Sequence, residues 1–416
     1  MPVVQATFWT IVGGFLFLPV KTAIDFPFIP PLDKESIPVL AALIGCRYIK
    51  RVKIKLLPQA GLERWLILLL IITPIFTTLN NQESFNGIPG LTLHDTMSAI
   101  INQYLFILPF VLGIQLIRTY EDQLLLFKLL VIAGLIYSVP ILFEVRMSPQ
   151  LHTWIYGFFP HSFIQQMRFD GFRPVVFMGH GLIVSMFVAI SLGAATVLWI
   201  EKIKIRNLPP LFIVLYFFLL LVLCKTLGAF LLGSLLLVIL NLRQISSLKW
   251  FSIFAVLIAL FYPLLSIFSL FPHESLVHVA TEFDVNRGRS LDFRFYNEGL
   301  LLDHARDKLF FGWGGWGRFR LDESVTDGNW IIIFGQYGLI GFLSLFGLLA
   351  VSIFKGFKLA KITYTPNERR LLFYHALIVV VIIIDQLPNA SLAAWMLLLS
   401  GALMGRSNFT QSKDKK

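Results

Sequence analysis

Apolar residues run through almost the whole chain in stretches long enough for membrane-spanning helices. A bilayer core takes about 20 mostly apolar residues per helix, and scanning the sequence at that length predicts about twelve helices. They lie near residues 3–20, 36–49, 64–80, 97–117, 123–143, 174–200, 209–224, 226–242, 250–271, 329–354, 371–386 and 390–404. The pattern predicts an all-α fold, a polytopic transmembrane helical bundle that forms a single integral membrane domain over residues 1–416.

The composition agrees with this pattern. Of the 416 residues, 56% are hydrophobic and 14% are charged, whereas soluble domains carry about 25% charged residues. The two cysteines, Cys46 and Cys224, both lie in apolar stretches. A soluble protein and a disulfide framework are therefore excluded.

Basic residues orient the predicted helices. Lysine-rich connections occupy residues 47–55, 201–206, 355–370 and 413–416, and with twelve helices they fall on one side. Cytoplasmic loops carry an excess of Lys and Arg, so both termini are expected in the cytoplasm. The loops expected outside are 21–35, 81–96, 144–173 and 272–328, of which 272–328 is the large exoplasmic loop.

The net charge of +11 divides unequally between the two sides. The inside carries 22 Lys and Arg against 6 Asp and Glu, a net charge of +16, and the outside carries 13 against 18, a net charge of −5. The positive charge is explained by topology. No nucleic-acid partner is expected.

Arginine outnumbers lysine in the outside loops, whereas lysine outnumbers arginine inside, 13 to 9. Nine of the 13 external basic residues are Arg, whose planar guanidinium grips phosphate or carboxylate through two hydrogen bonds. Seven basic residues share the large loop: Arg287, Arg289, Arg294, Arg306, Lys308, Arg318 and Arg320. The cluster favours anion binding, although any one of them can instead pair with a carboxylate of the loop.

Two segments of the large loop have recognisable local patterns. Ser290 to Leu309 has apolar residues at helical spacing, which predicts a helix carrying Arg294, with Glu298 one turn away as a salt-bridge alternative. The segment 311–320 follows, with four glycines, Trp313, Trp316 and two terminal arginines. Trp313, Trp316 and the later Trp330 are candidates for sugar or lipid contact, or for anchoring at the membrane interface.

The loop 144–173 and its neighbours supply further cations. Arg168 and Arg173 precede a predicted helix, and His180 lies near that helix's start. Lys225 lies in a short outer turn. Arg168, Arg173 and Lys225 are candidates for a phosphate site completed from a second loop, with anchoring at the membrane surface as the alternative. His180 is a candidate for sugar or lipid contact, with packing in the core as the alternative.

Asp327 stands immediately before the long apolar stretch 329–354. It is a candidate N-cap of that helix. It is also a candidate general base, provided that an acceptor hydroxyl comes within hydrogen-bond reach.

Several motifs, taken in order, resemble the O-antigen ligase and polymerase superfamily of polytopic membrane glycosyltransferases. They are Arg168-x-x-Gly-Phe, Ser290-Leu-Asp-Phe-Arg leading to Phe311-Gly-Trp-Gly, and Asn329-Trp-x-x-x-x-x-Gln-Tyr-Gly-Leu-Ile-Gly. The helix number, topology and large late loop are also similar. The resemblance implies a GT-C-type bundle that transfers a glycan from undecaprenyl diphosphate to an acceptor hydroxyl at the outer face of the bacterial inner membrane.

The resemblance also implies residue roles. Arginines hold the diphosphate, which corresponds to Arg168 and Arg294, while Arg173, Arg289, Arg318, Arg320 and Lys225 are added on charge and position. Counting back from Gly338 places the ligases' catalytic His at Asp327, a departure that puts ligase identity in doubt. No cofactor and no metal are expected.

The leading hypothesis is a metal-independent inverting glycosyltransferase, a polymerase of an exopolysaccharide or O-antigen-like glycan. Its expected partners are the lipid-linked donor, an acceptor glycan or lipid, membrane lipids and other glycan assembly or export proteins. Alternatives are an O-antigen ligase, a protein oligosaccharyltransferase, a transporter or flippase for lipid-linked sugars, and a non-enzymatic assembly scaffold. Repeated halves and mid-membrane charges, typical of transporters, are not visible in the sequence.

Overall fold

The computed structural model describes residues 1–26, 29–168, 171–242, 245–321 and 324–413. Most of these residues are helical, and the prediction of an all-α fold is confirmed. The helices described are α1 (Val3–Phe17), α2 (Ser36–Ile49), α3 (Leu62–Leu79), α4 (Leu93–Leu116), α5 (Tyr120–Met147), α6 (Leu151–Tyr156), α7 (Gly181–Ile200), α8 (Pro210–Leu223), α9 (Leu227–Asn241), α10 (Ile245–Ile267), α11 (His273–Phe283), α12 (Val285–Arg306), α13 (Asn329–Ile362), α14 (Pro366–Asp385) and α15 (Ala394–Lys413).

Each predicted apolar stretch overlaps one of these helices. By length and composition, six of the described helices are long and apolar enough to cross a membrane: α3, α4, α5, α7, α10 and α13. The apolar helices α1, α2, α8 and α9 are shorter. These helices indicate a membrane protein.

One predicted helix begins later than its apolar stretch. The stretch 174–200 is helical only from Gly181, because the backbone before it is held by a buried carboxylate. Glu144 on α5 accepts hydrogen bonds from the backbone N–H groups of Val175 and Val176 at 2.8 and 2.7 Å. Residues 174–180 therefore form an ordered loop at the end of the bundle.

The loops predicted on one side of the membrane meet at one end of the bundle. Near the start of α3, Glu63 pairs with Lys355 at 2.7 Å, and after its end Asn81 donates to the carbonyl of Gly312 at 2.9 Å. The basic loop 355–370 thus lies at the opposite end from the large loop. Arg370 also pairs with Glu201 at 3.1 Å, which brings two of the basic connections together. The last three residues of the basic tail, 414–416, lie outside the described residues.

The large loop contains two helices. The helix predicted over Ser290 to Leu309 is present as α12, which begins five residues earlier because Asp284 caps it by accepting from the backbone N–H of Asn286 at 2.8 Å. The sequence pattern missed α11, which precedes it. The alternative pairing of Arg294 with Glu298 is not formed: Glu298 accepts from the Tyr262 hydroxyl at 2.6 Å.

The helix α13 is broken at Gly338, where φ is +65° and ψ is −165°. At the break, the backbone N–H of Leu339 donates to the carbonyl of Leu309 at 2.8 Å, and Trp313 N–H donates to Gly335 O at 2.8 Å. A Cβ on Gly338 would lie 2.2 Å from the carbonyl carbon of Phe310. The glycine-rich segment 311–318 is therefore packed directly onto the broken helix.

Two short antiparallel hairpins lie among the loops. β1 (Ala23–Ile24) pairs with β2 (Leu32–Asp33), and β3 (Met167–Arg168) pairs with β4 (Gly171–Phe172). The second hairpin places Arg168 close to the start of α7, at the end of the bundle that carries the candidate site.

Candidate functional site

Arg294 and Asp327 form an ion pair. The guanidinium Nε of Arg294, on α12, lies 3.6 Å from Oδ2 of Asp327, and each side chain is 44% exposed. Asp327 does not cap α13, because the capping position is Gly328 and no side chain makes a capping hydrogen bond there. Its carboxylate is therefore directed to Arg294 and to solvent.

The pair lies in the wall of a cavity of about 420 Å³, here called the Arg294 cavity. The loop after α1, the loop before α7, helix α12, the loop before α13 and the segment 388–391 all contribute to it. Besides the ion pair, its polar lining includes Lys21, His161, His180, Thr326, Asn389 and Ser391. The described lining of the cavity thus combines the Asp327 carboxylate with the cations Lys21 and Arg294 and with neutral hydrogen-bonding groups.

His180 both lines this cavity and caps α7. Its Nδ1 accepts from the backbone N–H of Leu182 at 3.0 Å, and its ring meets that of His161 edge-on at 4.8 Å. Burial, then His161, Arg173 and Arg168, lower the pKa of His180 to about 4. The imidazole is therefore neutral near pH 7, and because Nδ1 accepts, its proton is on Nε2, which can donate to a ligand.

Three further cations, Arg168, Arg173 and Lys225, lie beside the start of α7 and are here called the basic cluster. Lys225 donates from Nζ to the carbonyl of Arg168 at 3.3 Å. This approach requires a glycine in β4, because a Cβ on Gly171 would lie 2.1 Å from the Lys225 ammonium. The hairpin therefore brings the ammonium group against the chain that carries the two arginines. Phe169 and Asp170 lie outside the described residues.

Arg173 is the most unusual member of the cluster. It is 8% exposed, and within the described part of the chain its buried Nε has no hydrogen-bond partner. Burial and the neighbouring charge of Arg168 lower the pKa of Arg173 to about 10. A buried arginine whose Nε lacks an acceptor among the described residues, at the positive end of a helix, favours the binding of an anion there.

A second buried carboxylate supports the segment 388–391, which forms part of the wall of the Arg294 cavity. Asp385, at the end of α14, accepts from the Nδ2 of Asn389 at 2.8 Å and from the hydroxyl of Ser391. The carbonyls of Gln386 and Asn389 in turn accept from the backbone N–H of Asn329 at 3.0 and 3.1 Å. These bonds fix the backbone immediately after Asp327.

Several predicted ligands lie elsewhere. Arg318 is 1% exposed, and its guanidinium donates to the carbonyls of Glu83 and Pro89 at 3.0 and 2.8 Å. It holds the loop 81–96 against the glycine-rich segment, and we do not retain it as a phosphate ligand. Arg289 and Arg320 are exposed, and neither is among the described lining residues of the Arg294 cavity. Arg320 lies over the ring of Phe319 instead, at 5.0 Å.

The three candidate tryptophans also differ in burial and in position. Trp330 is 1% exposed and packs edge-on against Tyr262. Trp313 is 7% exposed, and its ring stacks on His304 at 4.3 Å. Trp330 belongs to the core, and Trp313 is buried at the edge of a further cavity that Lys308 and Arg318 also line. Trp316 is 61% exposed and lines a different cavity, between α3, α4 and α13.

Sequence reasoning missed part of this site. Lys21 and His161 stand in loops with no motif around them, and only the packing of those loops brings them to Arg294. Asp385 was the one signal available in the sequence, since an acidic residue at the end of an apolar stretch is rare in membrane helices.

Comparison of the sequence with models of known protein families and with curated proteins finds no match.

Proposed function

We propose that the chain is an inverting membrane glycosyltransferase that elongates an envelope glycan from a polyprenyl-diphosphate-linked donor. The observation that carries the proposal is the ion pair between Arg294 and Asp327 in a cavity beside the basic cluster. A base and a diphosphate clamp are the two groups that such a transfer requires. In the proposed arrangement, the chain forms a GT-C-type bundle of about twelve spans in the bacterial inner membrane, with cytoplasmic termini and an exoplasmic site.

In the proposed reaction, the diphosphate of the donor binds to Arg294, Arg168, Arg173 and Lys225. The guanidinium of Arg294 turns from Asp327 to the diphosphate, which frees the carboxylate. Asp327 then takes the proton of the acceptor hydroxyl. The hydroxyl oxygen forms a bond to the anomeric carbon on the face opposite the diphosphate, and the carbon–oxygen bond to the diphosphate breaks.

The electron pair of that bond leaves with the diphosphate oxygen, so negative charge grows there in the transition state. Positive groups that are already in place stabilise this charge without reorganisation. Because the diphosphate is already a good leaving group, it does not need to be protonated by an acid. The cluster therefore contributes mainly through binding and orientation of the donor. His180 is suited to donate a hydrogen bond from Nε2, and it does not need to ionise.

Replacement of Asp327 by Asn tests the proposal. General-base catalysis contributes a factor of about 10² to 10⁴, so Asp327→Asn should abolish detectable glycan elongation in cells that depend on this chain. Asp303→Asn is the matched control, because Asp303 is an exposed carboxylate of the same loop and, among the described residues, its ion-pair partner is Arg306. Normal elongation in Asp327→Asn would contradict the assignment of the base.

The same cells distinguish the related reactions. Mass analysis of lipid-linked and surface glycans should show single lipid-linked repeat units accumulating when a polymerase is lost. Full-length chains that remain unattached would instead indicate a ligase. Repeat units retained on the cytoplasmic face would indicate a flippase.

A further inference from the structure

A second cavity lies next to the first, on the other side of the segment that starts α13. It has a volume of about 420 Å³ and lies between α3, α4 and the first turns of α13, beside the glycine-rich segment 311–318. We call it the Trp316 cavity. Neither the ion pair nor the basic cluster contributes to its described lining.

The charge of the Trp316 cavity differs from that of the Arg294 cavity. Among its described lining residues there is no Lys, Arg or His, and Asp95 is its single carboxylate. The Oδ2 atom of Asp95 is used locally, since it accepts from the backbone N–H of Thr92 at 2.8 Å and from its hydroxyl at 2.7 Å. The described lining therefore offers no cation with which to hold a phosphate or another anion.

What the cavity offers is a set of neutral hydrogen-bonding groups. Ser98 is 5% exposed, and its hydroxyl lines the cavity with no partner in the described part of the chain. The side chains of Asn102 and Gln336 also line it, and no hydrogen bond to another described side chain or backbone group uses them. Asn329 adds a buried Nδ2 group that lacks a partner among the described residues. Such groups bind hydroxyls, which both donate and accept.

An aromatic ring stands at the same cavity. Trp316 has φ of +58°, a conformation that a bulky residue rarely adopts, and its indole is 61% exposed while lining the cavity. Apolar side chains, among them Phe106 and Ile332, form another part of the lining. A flat aromatic face together with amides and hydroxyls suits a sugar ring, which has apolar C–H faces and a polar edge.

The two cavities meet at the start of α13. Asp327 lines the Arg294 cavity and Asn329 lines the Trp316 cavity, with only Gly328 between them. A Cβ on Gly328 would lie 2.2 Å from the carbonyl oxygen of Leu387 and 2.8 Å from the ring of Trp330, so the backbone between the two cavities is closely packed and has no room for a side chain. A chain of sugars bound in the Trp316 cavity is thus a close neighbour of the candidate base.

We propose that the Trp316 cavity binds an uncharged sugar residue of the acceptor glycan and so presents the glycan end to Asp327. This inference rests on the proposed function for its place in the reaction. The binding itself depends only on the Trp316 cavity, and it can be measured without turnover.

The test uses the full chain in nanodiscs and two probes. One probe is a mixture of neutral oligosaccharides released by mild acid from the surface polysaccharide of cells that produce this chain, observed by saturation-transfer NMR. The other is inorganic diphosphate, observed by calorimetry. Trp316→Ala and Asn102→Leu should each weaken oligosaccharide binding about tenfold or more and leave diphosphate binding unchanged. Arg294→Lys should weaken diphosphate binding and leave oligosaccharide binding unchanged.

Trp65→Ala is the matched control, because Trp65 is equally exposed, at 64%, but lies near the start of α3, at the opposite end of the bundle. Oligosaccharide binding that is absent, or that is the same in Trp316→Ala and Trp65→Ala, would overturn the inference. Diphosphate binding that is lost in Trp316→Ala would also overturn it. Failure of the proposed function has a different signature, namely glycan elongation that continues in Asp327→Asn.

Discussion

The guanidinium of Arg294 lies 3.6 Å from the carboxylate of Asp327, although one residue belongs to α12 and the other to the loop before α13. Both side chains are partly exposed, and an exposed ion pair contributes little to stability, about 0 to 1 kcal/mol. The contact therefore has little structural value, and the pair is available for ligand binding.

Arg294→Lys should reduce glycan elongation about tenfold to a hundredfold. Lysine keeps the charge but loses the planar fork that bonds a diphosphate through two N–H groups, and a charge-assisted hydrogen bond is worth about 1.5 to 3 kcal/mol. Elongation is measured by the length of surface glycan in cells. Arg289→Lys is the control on the same helix, and equal activity in both variants would indicate a surface role for Arg294.

Arg173→Met should make the ligand-free protein more stable and less active. The guanidinium is 8% exposed and its Nε has no partner among the described residues, so its removal relieves a desolvation cost on the order of 1 kcal/mol. Thermal unfolding in detergent measures the gain. Added inorganic diphosphate should stabilise the unmodified chain more than this variant.

Arg168→Met is the companion variant, because Arg168 belongs to the same basic cluster but is exposed. It should lower activity without raising the unfolding temperature. A fall in stability on replacing Arg173 would contradict the interpretation that burial of this cation destabilises the ligand-free protein.

Gly338→Ala should destabilise the protein strongly. The φ of +65° and ψ of −165° at Gly338 form a region that is open almost only to glycine, and a side chain there costs about 1 to 3 kcal/mol before any clash. The added Cβ would also meet the backbone of Phe310. Folded yield after solubilisation is the measurement.

Gly347→Ala, in the same helix, is the control for that variant. A Cβ on Gly347 would meet only the side chain of Leu66 at 3.7 Å, an ordinary contact, so its yield should be unchanged or higher. Equal yields for the two variants would mean that the break at Gly338 is not required.

Protonation of His180 should destabilise the folded protein at acid pH. Its pKa, lowered to about 4 by burial and neighbouring positive groups, lies below the ordinary value of 6.5. The stability that it contributes is therefore fully present above pH 6.5 and is lost as the pH falls toward 4. Protonation of Nδ1 also removes the acceptor for Leu182 N–H.

The expected unfolding temperature of the unmodified chain thus falls more steeply below pH 6.5 than that of His180→Asn. Asparagine keeps a side-chain acceptor at the start of α7, whereas His180→Ala should lose about 1 kcal/mol at neutral pH. Identical pH profiles for the unmodified chain and His180→Asn would refute the linkage.

The sequence indicated the class of fold because that information is local. Stretches of apolar residues predict helices wherever they occur, and the helix in the large loop was recognisable from the spacing of its apolar residues. The same local rule did not predict every helix or every helix boundary. It missed α11, and it extended the helix before Gly181, because the hydrogen bonds from Val175 and Val176 go to a carboxylate on another helix.

The candidate site required the tertiary structure. Arg294 and Arg318 are chemically the same residue in the same loop, yet Arg294 faces a cavity and Arg318 is buried among the carbonyls of another loop. Trp313 and Trp316 likewise belong to one short segment, yet Trp313 is buried and Trp316 is exposed.

The sequence by itself thus determined that this is an all-α, membrane-type chain in which arginine outnumbers lysine in the loops predicted outside, since composition and periodicity depend on neighbouring residues. Only the tertiary structure decided which arginine meets Asp327 and which tryptophan lines the second cavity. The reason is that these contacts join segments far apart in the chain, and their geometry depends on how whole helices pack.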